Sequence, residues 1–155
     1  NTVSELLLKQ GTDSFVKTRK AMANSKMLSS DVSAGVDPLF VNVNDKKNAA
    51  YFGKGMVFNK YTGSRGKSGS NDASAEYVGK LRAVMDDGNV FYQTAELGKV
   101  DQGGGGTIAY ILANYGMQVI DSGVAVLNMH APMEIVSKVD VYEAYLAYRT
   151  FLKQI

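Results

Sequence analysis

One histidine, His130, stands in a chain of 155 residues that contains no cysteine. It closes the segment Val126-Leu127-Asn128-Met129-His130, at the C-terminal mouth of an apolar run with strand character. In open α/β sheets, ligands and catalytic groups gather at the C-terminal ends of strands. An imidazole placed there can coordinate a metal through one nitrogen while a neighbouring acceptor holds the other. Met129 and Ala131-Pro132-Met133 predict a semi-buried ring. The plainer alternative is a hydrogen-bonded structural histidine, since one imidazole does not make a site.

Asp31 offers a second donor. It follows the strand-like Lys26-Met27-Leu28-Ser29-Ser30, and a carboxylate just past a buried strand can meet a cation where water is already partly excluded. The plainer alternative is a turn-initiating Asp, and the small residues of Val32-Ser33-Ala34-Gly35-Val36-Asp37-Pro38 suit that too. With no thiolate available, any metal must be held by oxygen and a single imidazole nitrogen, a donor set that suits zinc, manganese or cobalt.

Two loops could face an anion or a substrate. The run Gly103 to Gly106 leads into Thr107 at a helix start, where free N–H groups and a partial positive charge attract anions. Gly104 and Gly105 would let a substrate backbone approach closely. The second loop, Gly63-Ser64-Arg65-Gly66-Lys67-Ser68, is not a phosphate-binding Walker loop: with four residues intervening, the first glycine is required five positions before Gly66, and Tyr61 is there. Lys60, Arg65 and Lys67 remain available to an anionic group, or simply to solvent.

The elements that must position these groups are legible from periodicity and breakers. A helix ends near Lys9 and stops at Gly11. Asp13 or Ser14 caps a second helix, with Phe15, Val16, Ala21 and Met22 as its buried stripe. Strands are predicted at Lys26–Val32, Gly55–Tyr61 and Val90–Thr94, with two short ones at Val119–Asp121 and Val124–Met129. Thr62 to Gly69 reads as a loop. A helix capped within Ser70-Asn71-Asp72 runs to about Asp86, with Ala75, Val78, Leu81, Val84 and Met85 at helical spacing. Another spans Ile108 to Tyr115. The last starts at Asp140 and turns Val141, Tyr142, Tyr145, Leu146, Tyr148, Phe151 and Leu152 to an apolar face, as core or as subunit contact. Strands alternating with helices give an α/β fold, three-layer α/β/α around a central mixed sheet.

Composition sets further bounds. Forty-five per cent hydrophobic residues, 16 glycines and two prolines describe one globular domain or part of one. A net charge of +2 with dispersed lysines gives no nucleic-acid footprint. No run approaches the roughly 20 apolar residues that span a bilayer, and there is no signal-peptide pattern. A cytoplasmic protein is the expectation.

Four segments in order resemble the aspartyl aminopeptidase family of dinuclear zinc exopeptidases, its bacterial branch in particular. They are Ala23 to Ala34, Lys60 to Gly69, Ala95-Glu96-Leu97-Gly98-Lys99-Val100-Asp101-Gln102 with its glycine run, and Val124 to Pro132. The resemblance extends over essentially the whole chain. It implies that Asp31 and His130 are two of five protein ligands to two divalent ions, each binding a different one, and that Lys60 pairs with an acidic substrate side chain. The family's other ligands are a histidine, a bridging aspartate and the second glutamate of a Glu-Glu element. The first glutamate of that element is the general base acting on a water shared by the ions. This sequence has no second histidine and no Glu-Glu pair, so no catalytic residue is assigned within it.

The resemblance therefore implies that residues 1–155 are the C-terminal portion of a metalloaminopeptidase catalytic domain, inactive alone. The upstream ligands and an inserted dimerisation domain would lie outside it. It further implies a peptide substrate and a homo-oligomer, a dodecamer built from dimers. Two positions depart from the acid-selective pattern. Ala34 stands where those members have histidine, and Lys67-Ser68-Gly69 where they have a tyrosine. Two readings of other classes compete: a non-catalytic α/β scaffold or assembly subunit, and an anion-binding module using the glycine loop and Lys60.

Overall fold

The computed structural model describes residues 2–12, 14–64, 68–99 and 105–155. Helices α1 (Thr2–Lys9) and α2 (Phe15–Ala23) precede β1 (Lys26–Ser30) and β2 (Ser33–Ala34). Then come β3 (Met56–Asn59), β4 (Tyr61–Ser64), β5 (Ser68–Asp72), α3 (Ala75–Asp87), β6 (Tyr92–Thr94) and α4 (Ala109–Ala113). The chain finishes with β7 (Gln118–Gly123), β8 (Ala125–Leu127), β9 (Ile135–Val136) and α5 (Lys138–Gln154). No helix among the described residues is long and apolar enough to cross a membrane.

The main sheet is mixed, in the order β1-β7-β3-β6. β1 runs parallel to β7 and β3 parallel to β6, while β3 and β7 are antiparallel. Past Ser30 and Gly123 the β1–β7 pair continues as β2–β8, with Ser33 opposite Ala125. Alternation of side chains across a strand gives the sheet two unlike faces. Leu28, Ile120, Met56 and Phe58 face one way and pack with Tyr77, Leu81, Val84 and Met85 of α3 and Ala147 of α5. The register aligns Ser29, Asp121 and Asn59 on the other face, all buried. That face is covered by the β4–β5 hairpin and by α4, and Asn71 Nδ2 donates to the Val119 carbonyl at 2.9 Å.

Four expectations need correction. Within the 62–69 segment, read as a loop, residues 62–64 and 68–69 are strand, β4 and β5 pairing antiparallel, while residues 65–67 lie outside the described residues. α3 is capped by Ser74, whose hydroxyl accepts from Tyr77 N–H, rather than within 70–72. α2 has no buried residue, and Phe15 and Val16 are exposed. Its cap is Ser14, while Asp13 lies outside the described residues.

The fourth correction concerns α5, which starts at Lys138 with Ser137 as its cap. Its buried residues are Asp140, Glu143, Ala144 and Ala147, while Val141, Tyr142, Tyr145 and Leu152 are exposed. The two acids are at home there because backbone donors meet them, which a hydrophobicity pattern cannot register. Asp140 accepts Gly53 N–H at 2.9 Å and Gly55 N–H at 2.8 Å, and Glu143 accepts Phe91 N–H at 2.9 Å.

Candidate metal and substrate site

Asp31 sits where the chain passes from β1 to β2. Its N–H donates to the Ser122 carbonyl at 3.1 Å, and its carboxylate Oδ1 accepts the next N–H, that of Val32, at 2.9 Å. This local bond is the turn-forming role expected of an Asp, and it leaves Oδ2 available. The residue is partly buried beside a cavity of about 540 Å³ that Ser30, Gly123, Val141, Tyr145 and Tyr148 also line.

Behind Asp31 lies a carboxylate the sequence did not single out. Asp121 is 1% exposed. Burial raises its pKa, against the Thr107 hydroxyl and the nearby hydroxyls of Thr62 and Ser29, and the neighbouring Asp31 charge pushes the same way as burial. Asp121 Oδ1 and Ser29 Oγ are buried without a hydrogen-bond partner among the described residues. Thr107 Oγ1 donates to Asp121 Oδ2 at 2.9 Å, and Thr62 Oγ1 lies 3.3 Å from Thr107 Oγ1. Asp121 thereby links β7 to the segment that carries Gly105 into α4. An acid inside the apolar run Val119-Ile120-Asp121 was the available signal, because a buried charge needs a compensating partner.

His130 follows β8 in the turn to β9, where Ala131 N–H donates to the Asn128 carbonyl. Asn128 and His130 both take positive φ, 58° and 68°, values uncommon for non-glycine residues. Such conformations concentrate where surrounding structure holds a side chain for use. His130 N–H donates to Glu134 Oε1 at 2.6 Å. The ring is exposed rather than semi-buried, because Ala131, Pro132 and Met133 are themselves exposed.

Lys60 lies between β3 and β4 and forms an ion pair with Asp72 at the end of β5. Glu96, just past β6, is close enough to feel both charges. Burial pushes its carboxyl up to about 7, Lys60 and the Tyr61 N–H pull against that, and Asp72 adds to it. The structure thus gathers Lys60, Asp72 and Glu96 in one place, and Asp31 and Asp121 in another. No hydrogen bond or ion pair among the described residues joins Asp31 to His130. Gly105 precedes Thr107, whereas Gly104, Arg65 and Lys67 lie outside the described residues.

Among the described residues no group of three or more His, Cys, Asp or Glu side chains could hold a metal ion. Asp31 and His130 fit part of a zinc site in donor type, one carboxylate and one imidazole, and fall short of it in number.

The model of the family described as Aminopeptidase I zinc metalloprotease (M18) matches residues 1–152. The chain belongs to this family. A probable M18 family aminopeptidase 1 of Clostridium acetobutylicum is 64% identical over 98% of this chain and 33% of its own length. The crystal structure of aminopeptidase I from the same organism superposes with a TM-score of 0.88, at 63% identity over 98% of this chain and 32% of that one. An M18 family aminopeptidase structure from Thermotoga maritima gives 0.94 at 44% identity, over 99% and 34%. A structure of the S. cerevisiae mApe1 dodecamer shares the fold at 20% identity, with a TM-score of 0.70 over 88% and 28%. This chain spans about a third of the length of the M18 relatives it matches.

Proposed function

We propose that this M18 chain forms the C-terminal portion of the catalytic domain of a metal-dependent aminopeptidase that removes N-terminal residues from peptides. The observation that carries this is the family match over residues 1–152, joined to 64% identity with a bacterial M18 aminopeptidase. Asp31 and His130 are the ligands this chain contributes, each to a different one of two divalent ions. Zinc is the first choice by family, with manganese or cobalt as alternatives. The remaining ligands and the general-base glutamate come from outside these 155 residues. Bound divalent ions acidify water and polarise the scissile carbonyl.

This chain's own residues hold the frame. Asp31 is aimed by its backbone bond to β7, and Asp121 steadies Thr107 at the end of the glycine run. Gly104 and Gly105 admit the substrate backbone, and Lys60 faces the substrate's N-terminal side chain. The assembly reading is a homo-oligomer, a dodecamer as in the yeast relative, and the setting is cytoplasmic.

The test is an assay of the longer protein over a panel of aminoacyl-4-nitroanilides, before and after chelation. Loss of hydrolysis on chelation and its return with zinc are expected. Hydrolysis that persists without metal, or its absence under all conditions, rejects the function.

A further inference from the structure

His130 is carried by the connection from Asn128 to Glu134, which leaves β8 at Leu127 and enters β9 at Ile135, where the two strands are paired. Every residue of that connection except Met129 is exposed, so packing does little to shape it. Yet Asn128 and His130 both hold positive φ, a conformation that crowds Cβ against the backbone and persists only where other contacts impose it. Inside the connection, two hydrogen bonds do so. Ala131 N–H closes a turn on the Asn128 carbonyl at 2.9 Å, and His130 N–H donates to Glu134 Oε1 at 2.6 Å. Only the second comes from a side chain. It fixes the peptide plane immediately before the His130 Cα, and with φ set as well, the direction of the Cα–Cβ bond follows. An N–H held by a carboxylate is held more firmly than one on a neutral acceptor. Glu134 adjoins Ile135, whose pairing with Leu127 ties the clamp to the sheet.

We infer that Glu134 is a positioning residue for His130, clamping its backbone N–H so that the imidazole is presented to a metal ion before the ion arrives. The inference rests on the reading of His130 as a ligand, and Glu134 acts through that residue rather than on the reaction. A ligand already oriented loses less freedom on binding, so releasing the clamp weakens metal binding. The connection is exposed, and its loosening leaves the core untouched. What His130 N–H needs is an acceptor oxygen at that reach, which an amide also supplies.

The experiment titrates zinc from the full-length enzyme and its Glu134→Ala, Glu134→Gln and His130→Ala variants against a competing chelator. Absorption spectra of the cobalt-loaded proteins accompany it. Glu134→Ala should raise the dissociation constant of one ion about ten-fold, the scale for groups that orient a metal ligand, and leave the other ion's unchanged. Its cobalt d–d bands should shift while Tm stays close to that of the wild type. Glu134→Gln keeps an acceptor and should hold zinc as the wild type does. Glu134→Met, of similar length but without an acceptor, should match Glu134→Ala and replaces it if that variant does not fold. Failure of both to fold overturns the inference. So do an unchanged zinc affinity in Glu134→Ala, equal weakening of both ions, or a Glu134→Gln variant as weak as Glu134→Ala. If His130→Ala loses an ion while Glu134→Ala binds as the wild type does, the inference alone fails. If His130→Ala keeps both ions, the reading of His130 as a ligand fails and the inference with it.

Discussion

A Cβ added to Gly123 would lie 1.9 Å from the backbone carbonyl oxygen of Asp31. Real Cβ atoms do not approach that closely, so the passage from β1 to β2 closes on β7 only because position 123 has no side chain. Gly123→Ala should displace Asp31 although residue 123 is no ligand. We expect destabilisation of about 2 kcal/mol or more and a loss of metal from the full enzyme. Chemical denaturation and metal analysis check it. Full stability with full metal content would show that the strands can part at no cost.

Thr107 and Asp121 form the second joint. Removing the hydroxyl in Thr107→Val leaves Asp121 buried without that donor, which should cost about 1–3 kcal/mol. Because the same bond holds the end of the glycine run, KM should rise more than kcat falls. An unchanged KM would separate the glycine run from substrate binding.

Asp140 carries a purely structural prediction. Asp140→Ala orphans the N–H groups of Gly53 and Gly55, which its two oxygens now accept, and should cost about 2–4 kcal/mol. Asp140→Asn keeps one acceptor and should cost less. Urea unfolding of both variants decides it, and equal midpoints would contradict the account.

Glu96 sets a pH dependence. Its carboxyl is raised from 4.5 to about 7, so the folded state holds the proton more tightly than the unfolded chain. Its contribution to stability is then fully present below about 4.5 and is lost as pH rises through about 7. Glu96→Gln stays neutral and should flatten this part of the curve. Thermal midpoints of the two proteins from about pH 5 to 8 test the sign. A wild type that gains stability relative to Glu96→Gln over that window would reverse it.

What the sequence made legible was whatever hydrophobic period controls. The stripe Leu81, Val84 and Met85 of α3 and the strand Met56–Asn59 follow from spacing alone, because burying apolar area decides them. Of the α5 face, Leu146, Tyr148 and Phe151 do pack on the core, but Asp140 and Glu143 were missed because they are buried on backbone donors from loops far away in sequence. The β4–β5 hairpin was hidden by its glycines and serines, which carry no alternation. At the site, Asp31, His130 and Lys60 were suggested by residue type and family resemblance. Asp72, Glu96 and Asp121 matter through charges brought close only by sheet register, and register is not written locally.

The most direct measurement is the metal content of the full-length enzyme carrying Asp31→Ala or His130→Ala. The account predicts two divalent ions per subunit in the wild type, one position emptied in each variant, and peptide hydrolysis abolished in both. Two ions retained with near-normal turnover in either variant would contradict it.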